Sequence, residues 1–526
     1  MELSRLAPSH LARRSRKPRG RNARRLAPGR GEPRLTASPA PDRRAWILAG
    51  GLLLAAAFAI RAWQFGNPLL HVDENFYLLV GDRMLHGALP YVDIWDRKPV
   101  GLFALYAAIR LLGGDGIVQY QVVATLFAAA TALLIARLAA PAAGIVAATA
   151  AGVVYLLMLP LAGGWGGQAP VFYNLLVAGA ALAAYRALNA DPRRIRRLGC
   201  LAMLLIGLGL QLKYTVVFEG FAFGVLLLGV SWRASRSWTR LAADAALWIG
   251  LALAPTLLAL AYYAWRGEAQ AFVYANFLSI GARAEASDAE LAPRLLKAAR
   301  LLVPPLLAVG LAAWIGGWRA RPGGRTAFGF AIGWLAAALG GYLIFGTYFD
   351  HYALPLLAPL ALAMAPLFAT RSRPLGIAIA TAFIALGVTA DGVAFVKGKA
   401  KRGDAQEMNE LLAAIRPGLS QGLWVWNGDS ILYHLTGAPL PSRWPFAGHL
   451  NLLREHGAVG MDQETEVRRI LATRPGVIVD RTPRAKDFNF AVVRIVDAEL
   501  ASHYRPVTTV KLSKSSLVVY RRTPSP

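Results

Sequence analysis

A polytopic α-helical membrane protein ending in a small α/β domain is the fold class this sequence predicts. Three observations predict it. The chain of 526 residues is 56% hydrophobic but only 17% charged, with mean hydropathy +0.42, whereas an ordinary soluble domain carries roughly 25% charged residues. Apolar runs of membrane-spanning length recur from residue 45 to residue 396. After Phe395 the composition turns to a soluble mix, with 19 Lys/Arg and 12 Asp/Glu over residues 397–526. This composition excludes a disordered chain, a nucleic-acid-binding globule and a cytosolic enzyme over most of the length. The lone cysteine, Cys200, excludes an intramolecular disulfide framework and a cysteine zinc site.

Residues 1–44 carry 13 Lys/Arg against Glu2, Glu32 and Asp42 and are rich in Pro, Gly and Ala. They read as a basic, disordered cytosolic tail that fixes orientation, in preference to a nucleic-acid or anionic-lipid arm. No signal peptide is expected, because the first apolar run starts only at Ala45 and lacks a small-residue cleavage site. Eleven apolar runs follow, near 45–64, 117–138, 141–160, 170–190, 199–212, 215–231, 241–265, 299–317, 327–346, 352–370 and 374–396. They define a transmembrane domain over 45–396. A twelfth run, 99–113, is too short for a span and suits a re-entrant or interfacial segment.

Positive charge sets the direction of each crossing. The tail, Arg137, the Arg186–Arg197 loop, the Arg233–Arg240 loop, the Arg319–Arg325 loop and the Arg371–Arg373 turn hold most of the basic residues before residue 397. All of them face the cytosol only if 99–113 does not cross. The N-terminus is then cytosolic. The outer loop 65–116, the 266–298 loop and the Phe345–His351 turn lie outside, and so does the domain 397–526. A bacterial-type inner (cytoplasmic) membrane is the expected location. In the terminal domain, QGLWVWN (421–427) and PGVIVD (475–480) read as buried strands, and 506–512 with 515–522 as a closing hairpin. Residues 407–415, 465–473 and 497–504 read as helices. Trp424, Trp426 and Trp444 are expected in the core rather than on a sugar platform.

The first outer loop concentrates the candidate chemistry. It places Asp73, Glu74, Asp82, Asp93 and Asp96 beside Arg83, Arg97 and Lys98. From Asp73 to Leu85 the apolar residues recur at helical spacing, which predicts a helix lying on the membrane surface. Its first turn would hold Asp73 and Glu74, where the helix dipole favours anions. Pro99 would open the next short helix. A carboxylate here suits a general base, and Lys98 with Arg97 suits a phosphate; a solvated loop with a capped interfacial helix is the alternative. Arg61, at the end of the first span, is expected to pair with an acid of this loop.

Arg61, Asp73-Glu74 and Tyr-Val-Asp-Ile-Trp-Asp-Arg-Lys-Pro (91–99) together resemble the glycosyltransferase family 39, polytopic GT-C fold enzymes akin to protein O-mannosyltransferases and aminoarabinose transferases. LKYT (212–215) and DHYALPLLAPL (350–360) resemble further blocks of that family, and the terminal outer domain resembles it in placement. The resemblance implies transfer of a sugar from a polyprenyl-phosphate donor to a glycan, lipid or protein acceptor, with inversion at the anomeric carbon. It implies Asp73 as the base, Lys98 with Arg97 on the lipid phosphate, and Glu74 and Asp96 orienting these groups or the sugar. Lys213 it marks as a second phosphate contact. His351 stays open between a donor-site residue and a satisfied interfacial histidine. Relatives often carry an acid in the outer loop before the fourth span. GGWGGQAPVFYN (163–174) has none, and Gln168 and Asn174 are its nearest polar groups. Val100 stands where the family often has a second proline. No metal ligand set is read from the sequence, while a divalent ion stays open by resemblance. Glu219 and Asp391, inside apolar runs, are further candidates because buried ionisable groups there are costly.

A transporter or flippase of lipid-linked sugars is the competing class. It predicts paired or inverted repeats and helices broken near the midplane, and the sequence shows no repeat. A ligase or polymerase of lipid-linked oligosaccharides would place its large loop late in the chain, whereas here the acidic loop comes first.

Overall fold

The computed structural model describes residues 42–524 except 286 and 371, so most of the basic tail and Arg371 of the basic turn lie outside the described residues. The membrane part comprises α1 (Arg43–Arg61), α2 (Val72–Leu85), α3 (Val100–Arg110), α4 (Ile117–Ala143), α5 (Ile145–Leu161), α6 (Ala169–Ala187) and α7 (Pro192–Leu210). It continues with α8 (Val217–Ser235), α9 (Trp238–Trp265), α10 (Ala269–Val273), α11 (Asp288–Ile315), α12 (Gly324–Phe345), α13 (Leu354–Met364) and α14 (Arg373–Arg402). All eleven expected runs are helical. Among the described residues, seven helices are long and apolar enough to cross a membrane, and α5 and α13 are shorter apolar helices.

Local chemistry explains the starts. The Asp42 carboxylate accepts from Ala45 N and caps α1. Asp191 caps α7 by accepting from Arg193 N and Arg194 N, with Pro192 as the first helical residue. That cap moves the start of α7 ahead of the expected run and takes the basic segment Arg193–Arg197 into the helix. At this end of the bundle the basic loops meet one another. Arg240 donates to Pro192 O at 2.7 Å, Arg321 lies against Gly144, and Arg137 stacks over Trp46 at 5.3 Å.

The opposite end carries α2, α3 and the terminal domain. Here α3 is only 11 residues long, about 16 Å of helix. Both of its flanks touch the terminal domain: Trp95 N donates to Arg443 O at 2.7 Å, and His434 Nε2 lies 2.7 Å from Asp115 O. The segment 99–113 therefore returns to the side it left.

Two expectations are corrected. Helix α2 does not offer its apolar face to a membrane surface: nine of its residues, from Glu74 to Asp82, are buried within the protein. Gly81 explains how tightly it is covered, since a Cβ there would sit 2.6 Å from Ala107 N of α3. Arg61 does not pair with an acid. Its guanidinium donates to Gly164 O at 2.5 Å, Gly166 O at 2.8 Å and Thr125 Oγ1 at 3.1 Å, and so fixes the glycine-rich 163–167 loop.

The terminal domain adds α15 (Ala405–Ile415), β1 (Leu423–Val425), α16 (Ile431–Thr436), α17 (Ala447–Asn451), α18 (Gln463–Ala472), β2 (Val477–Thr482), α19 (Phe490–His503), β3 (Tyr504–Lys511) and β4 (Ser516–Arg522). The sheet order is β1-β2-β4-β3, with β1 parallel to β2 and the other pairs antiparallel. Trp424, Trp426 and Trp444 are buried in its core with Val459, Ile470, Ile478 and Val496. Trp95 of the first outer loop is part of that same core. Only Gly403 and Asp404 separate α14 from α15. Asp404 caps α15 through Gln406 N while Glu407 accepts from Asp404 N, a reciprocal cap that fixes the joint.

Candidate active site

His71 opens the site. Its backbone is extended, and its Nδ1 accepts from Asp73 N at 3.2 Å, which caps α2 and places Asp73 in the first turn. The Asp73 carboxylate then lies 3.8 Å from His71 Nδ1 and 3.9 Å from His351 Nε2. His351 arrives on the Asp350–Tyr352 turn that precedes α13, and Lys297 of α11 holds that turn by an ion pair to Asp350. Lys98 enters from the other end of the outer loop. The loop turns at Tyr91, whose φ of 71° is rare for a residue with a side chain. The Tyr91 hydroxyl donates to Lys98 O at 2.8 Å and meets Asn276 Oδ1 at 3.3 Å. Lys98 Nζ lies 3.8 Å from Asp96 Oδ1, over the Tyr77 ring. Lys213, in the turn between α7 and α8, sits 4.0 Å over Tyr352.

These groups share one cavity of about 730 Å³. Asp73, Asp96, Arg97, Lys98, Lys213 and His351 all line it, so six of the seven residues singled out from the sequence converge. Glu74 does not line it. It is fully buried on the other side of α2, pressed against the Gly166 backbone, where any side chain at 166 would collide with its carboxyl. Arg97 reaches the wall, but its guanidinium is engaged by Glu455 at 2.8 Å, by Ser279 Oγ and by Ala458 O. Glu219 and Asp391 are buried within helices away from this wall.

The electrostatics separate the two adjacent acids. Burial works against ionisation of Asp73, but His71, Lys98, His351 and Lys213 outweigh it and hold the carboxyl well below the usual carboxylate range. Burial pushes both histidines down, so they are neutral at pH 7. The lasting positive charge beside Asp73 is therefore Lys98, which Asp96 and Asp73 hold above the usual lysine value against the opposing effect of burial. Lys213 has weaker support: burial, with Lys98 adding to it, outweighs Asp73 and lowers it to about 7. Burial raises Glu74 to about 8, so it is mostly protonated at neutral pH.

His71, Asp73 and His351 bring three donor atoms within 4.8 Å of one another, a set of the type that binds transition-metal ions. Lys98 and Lys213 line the same cavity, and their charge opposes a dication beside Asp73.

Sequence reasoning missed a second group of wall residues: His71, Asn276, Arg283, Arg402, Arg454 and Glu455. Only His71 carried a usable signal, as the residue two before Asp73 at a helix start. The others come from distant segments that no local pattern joins.

No protein-family model matches the chain, and no curated protein matches it in sequence. Solved structures match it in fold. ArnT from Cupriavidus metallidurans in the apo state superposes with a TM-score of 0.58 and 15% identity, over 90% of this chain and 97% of that one. The same protein bound to undecaprenyl phosphate gives 0.58 and 14%, over 91% and 98%. The architecture is thus that of a GT-C-like polytopic membrane fold over nearly its whole length.

Proposed function

We propose that this protein is a membrane glycosyltransferase that moves a sugar from a polyprenyl-phosphate donor to an acceptor hydroxyl on the outer face of the cytoplasmic membrane. The observation that carries this reading is that a carboxylate, Asp73, and an ammonium, Lys98, line one cavity of about 730 Å³. The ArnT fold with undecaprenyl phosphate bound supports the donor class.

In this scheme the acceptor O–H gives its proton to an Asp73 oxygen as the hydroxyl oxygen attacks the anomeric carbon. The bond from that carbon to the phosphate oxygen breaks, and the charge that develops on the polyprenyl phosphate falls to Lys98, with Lys213 as a second contact. Attack on the face opposite the phosphate inverts the anomeric centre. Asp96 holds Lys98 in place, Arg97 backs it from the wall, and His351 borders the base. Glu74, being neutral and buried, shapes the 163–167 loop. No step uses a metal ion.

The basic loops gather at the end of the bundle away from the cavity. By the positive-inside rule that end is cytosolic, and the cavity and the terminal domain are outside. A reporter active only outside the cytosol, fused after Pro526, should give signal; a cytosolic signal would reverse the scheme. The central test is Asp73→Asn. It should abolish transfer while the purified protein still binds undecaprenyl phosphate. Transfer that survives the change would remove Asp73 as the base, while a wild-type protein that moves lipid-linked sugar across the membrane and forms no transfer product would favour a transporter.

A further inference from the structure

The reactive groups sit in the first outer loop, yet much of what holds them belongs to the terminal domain. Glu455 is only 3% exposed. It accepts from Arg97 Nη1 at 2.8 Å and forms an ion pair with Arg283 Nη2 at 2.8 Å, so one carboxylate ties the outer loop, the 266–298 loop and the terminal domain together. Arg97 stacks on Trp95 at 4.9 Å, and Trp95 packs edge-on to His449 at 4.8 Å. Trp95 and Arg97, just before Lys98, are thereby clamped by residues 443–459. A second clamp acts on the base. Asn75, two residues after Asp73, donates to Asp429 Oδ2 at 2.7 Å and to Pro68 O. Asp429 also accepts from Ile431 N at 3.1 Å, and Phe76 packs on Phe446 at 5.3 Å.

We infer that the terminal domain positions the two halves of the active site separately, with Glu455 placing Lys98 through Arg97 and Asp429 placing Asp73 through Asn75. The inference rests on the roles proposed above for Asp73 and Lys98. Both carboxylates are positioning residues, since neither is asked to touch a reacting atom. Buried charge-assisted hydrogen bonds of this type are strong and directional. A displacement of about 1 Å at a reacting group costs on the order of a hundredfold in rate. Two clamps on two segments predict two distinct losses.

The test uses the full-length protein and two readouts. One is the affinity of the purified chain for undecaprenyl phosphate. The other is the transfer rate in membranes from cells whose only copy is the variant, followed as the mass change of envelope glycans. Glu455→Gln should weaken undecaprenyl phosphate binding about tenfold, and Glu455→Asp should recover part of it. Asp429→Asn should leave that affinity within about twofold and lower transfer about tenfold. Thermal melting of each variant accompanies the measurements. Equal losses in both readouts for both variants would mean a merely structural domain and would overturn the inference. Wild-type values in either variant would overturn the clamp concerned, and so would losses that only track the fraction unfolded. If Glu455→Gln does not accumulate, Glu455→Asp alone decides: an affinity loss without loss of melting temperature supports the clamp, and wild-type affinity removes it. Lipid binding does not depend on chemistry. A failure of Asp73 as the base would therefore show in Asp73→Asn transfer and leave the Glu455 result readable.

Discussion

The first outer loop and the terminal domain face each other across one cavity and contribute to it in opposite ways. The loop supplies Asp73 and Lys98, whose charges differ from their neighbours because of where they are buried. The terminal domain supplies Glu455, Arg454 and His449, whose partners lie in the loop or beside it. The groups proposed to react are close in the chain, within one 26-residue stretch from Asp73 to Lys98. Groups that hold them are far away: Arg97 and Glu455 are 358 residues apart, and Asn75 and Asp429 are 354 apart. Chemistry can be compact in sequence, while positioning is bought with long-range contacts.

The largest test of that division is Asp73→Asn. A positioned base contributes roughly 10²–10⁴-fold in rate, so transfer should fall by that order while the melting temperature holds. A smaller loss than any terminal-domain variant produces would break the comparison. Next comes Lys98→Ala. Losing one charge-assisted contact should cost about 1.5–3 kcal/mol of undecaprenyl phosphate affinity, roughly ten- to a hundredfold. Lys98→Arg should keep part of it, and unchanged binding by titration would take Lys98 out of the site.

A pH series sharpens the comparison within the wall. Lys213 is charged below about 7 and neutral above it, because its value is lowered from that of free lysine. Its help to an anionic lipid is therefore present on the acid side and lost as pH rises through 7, by a few fold. Lys98 stays charged across this range. Lys213→Arg, which keeps its charge, should flatten the profile of undecaprenyl phosphate binding between pH 6 and 8; an unchanged slope would assign the dependence elsewhere. The smallest effect belongs to Glu74→Gln. At neutral pH the native side chain is mostly protonated, and the amide has nearly the same shape. Transfer should stay within about threefold of wild type. Loss comparable to that of Asp73→Asn would mean that the two acids exchange roles.

How far the sequence could be read follows the same line. The helices were legible because apolar runs of membrane length need no partner to be recognised. Asp73, Lys98, Lys213 and His351 were legible as ionisable groups near the edges of such runs. The orientation of α2 was not. Its apolar spacing suits a membrane surface, but Phe446 and the α16 residues that cover its remaining sides lie about 350 residues downstream. Arg61 misled for a related reason: an arginine next to acids suggests an ion pair, while three oxygen acceptors from the 163–167 loop and α4 satisfy it instead. Glu74 reads like its neighbour in sequence. Only the packing of Gly166 against it shows that it faces away from the cavity.

The joint between α14 and α15 has a mechanical consequence. A 30-residue helix is about 45 Å of stiff rod, and the two residues beyond it span no more than about 7 Å. Lys399 and Asp404 brace that joint at 2.7 Å, and Ser513 N donates to Ala400 O at 2.9 Å. Such a connection transmits tilt and torque but gives no slack. The short joint and these two contacts hold the terminal domain over the cavity. In the proposed scheme, a lipid-linked donor would then reach Asp73 and Lys98 from the side, beneath this domain, along the plane in which such a carrier diffuses.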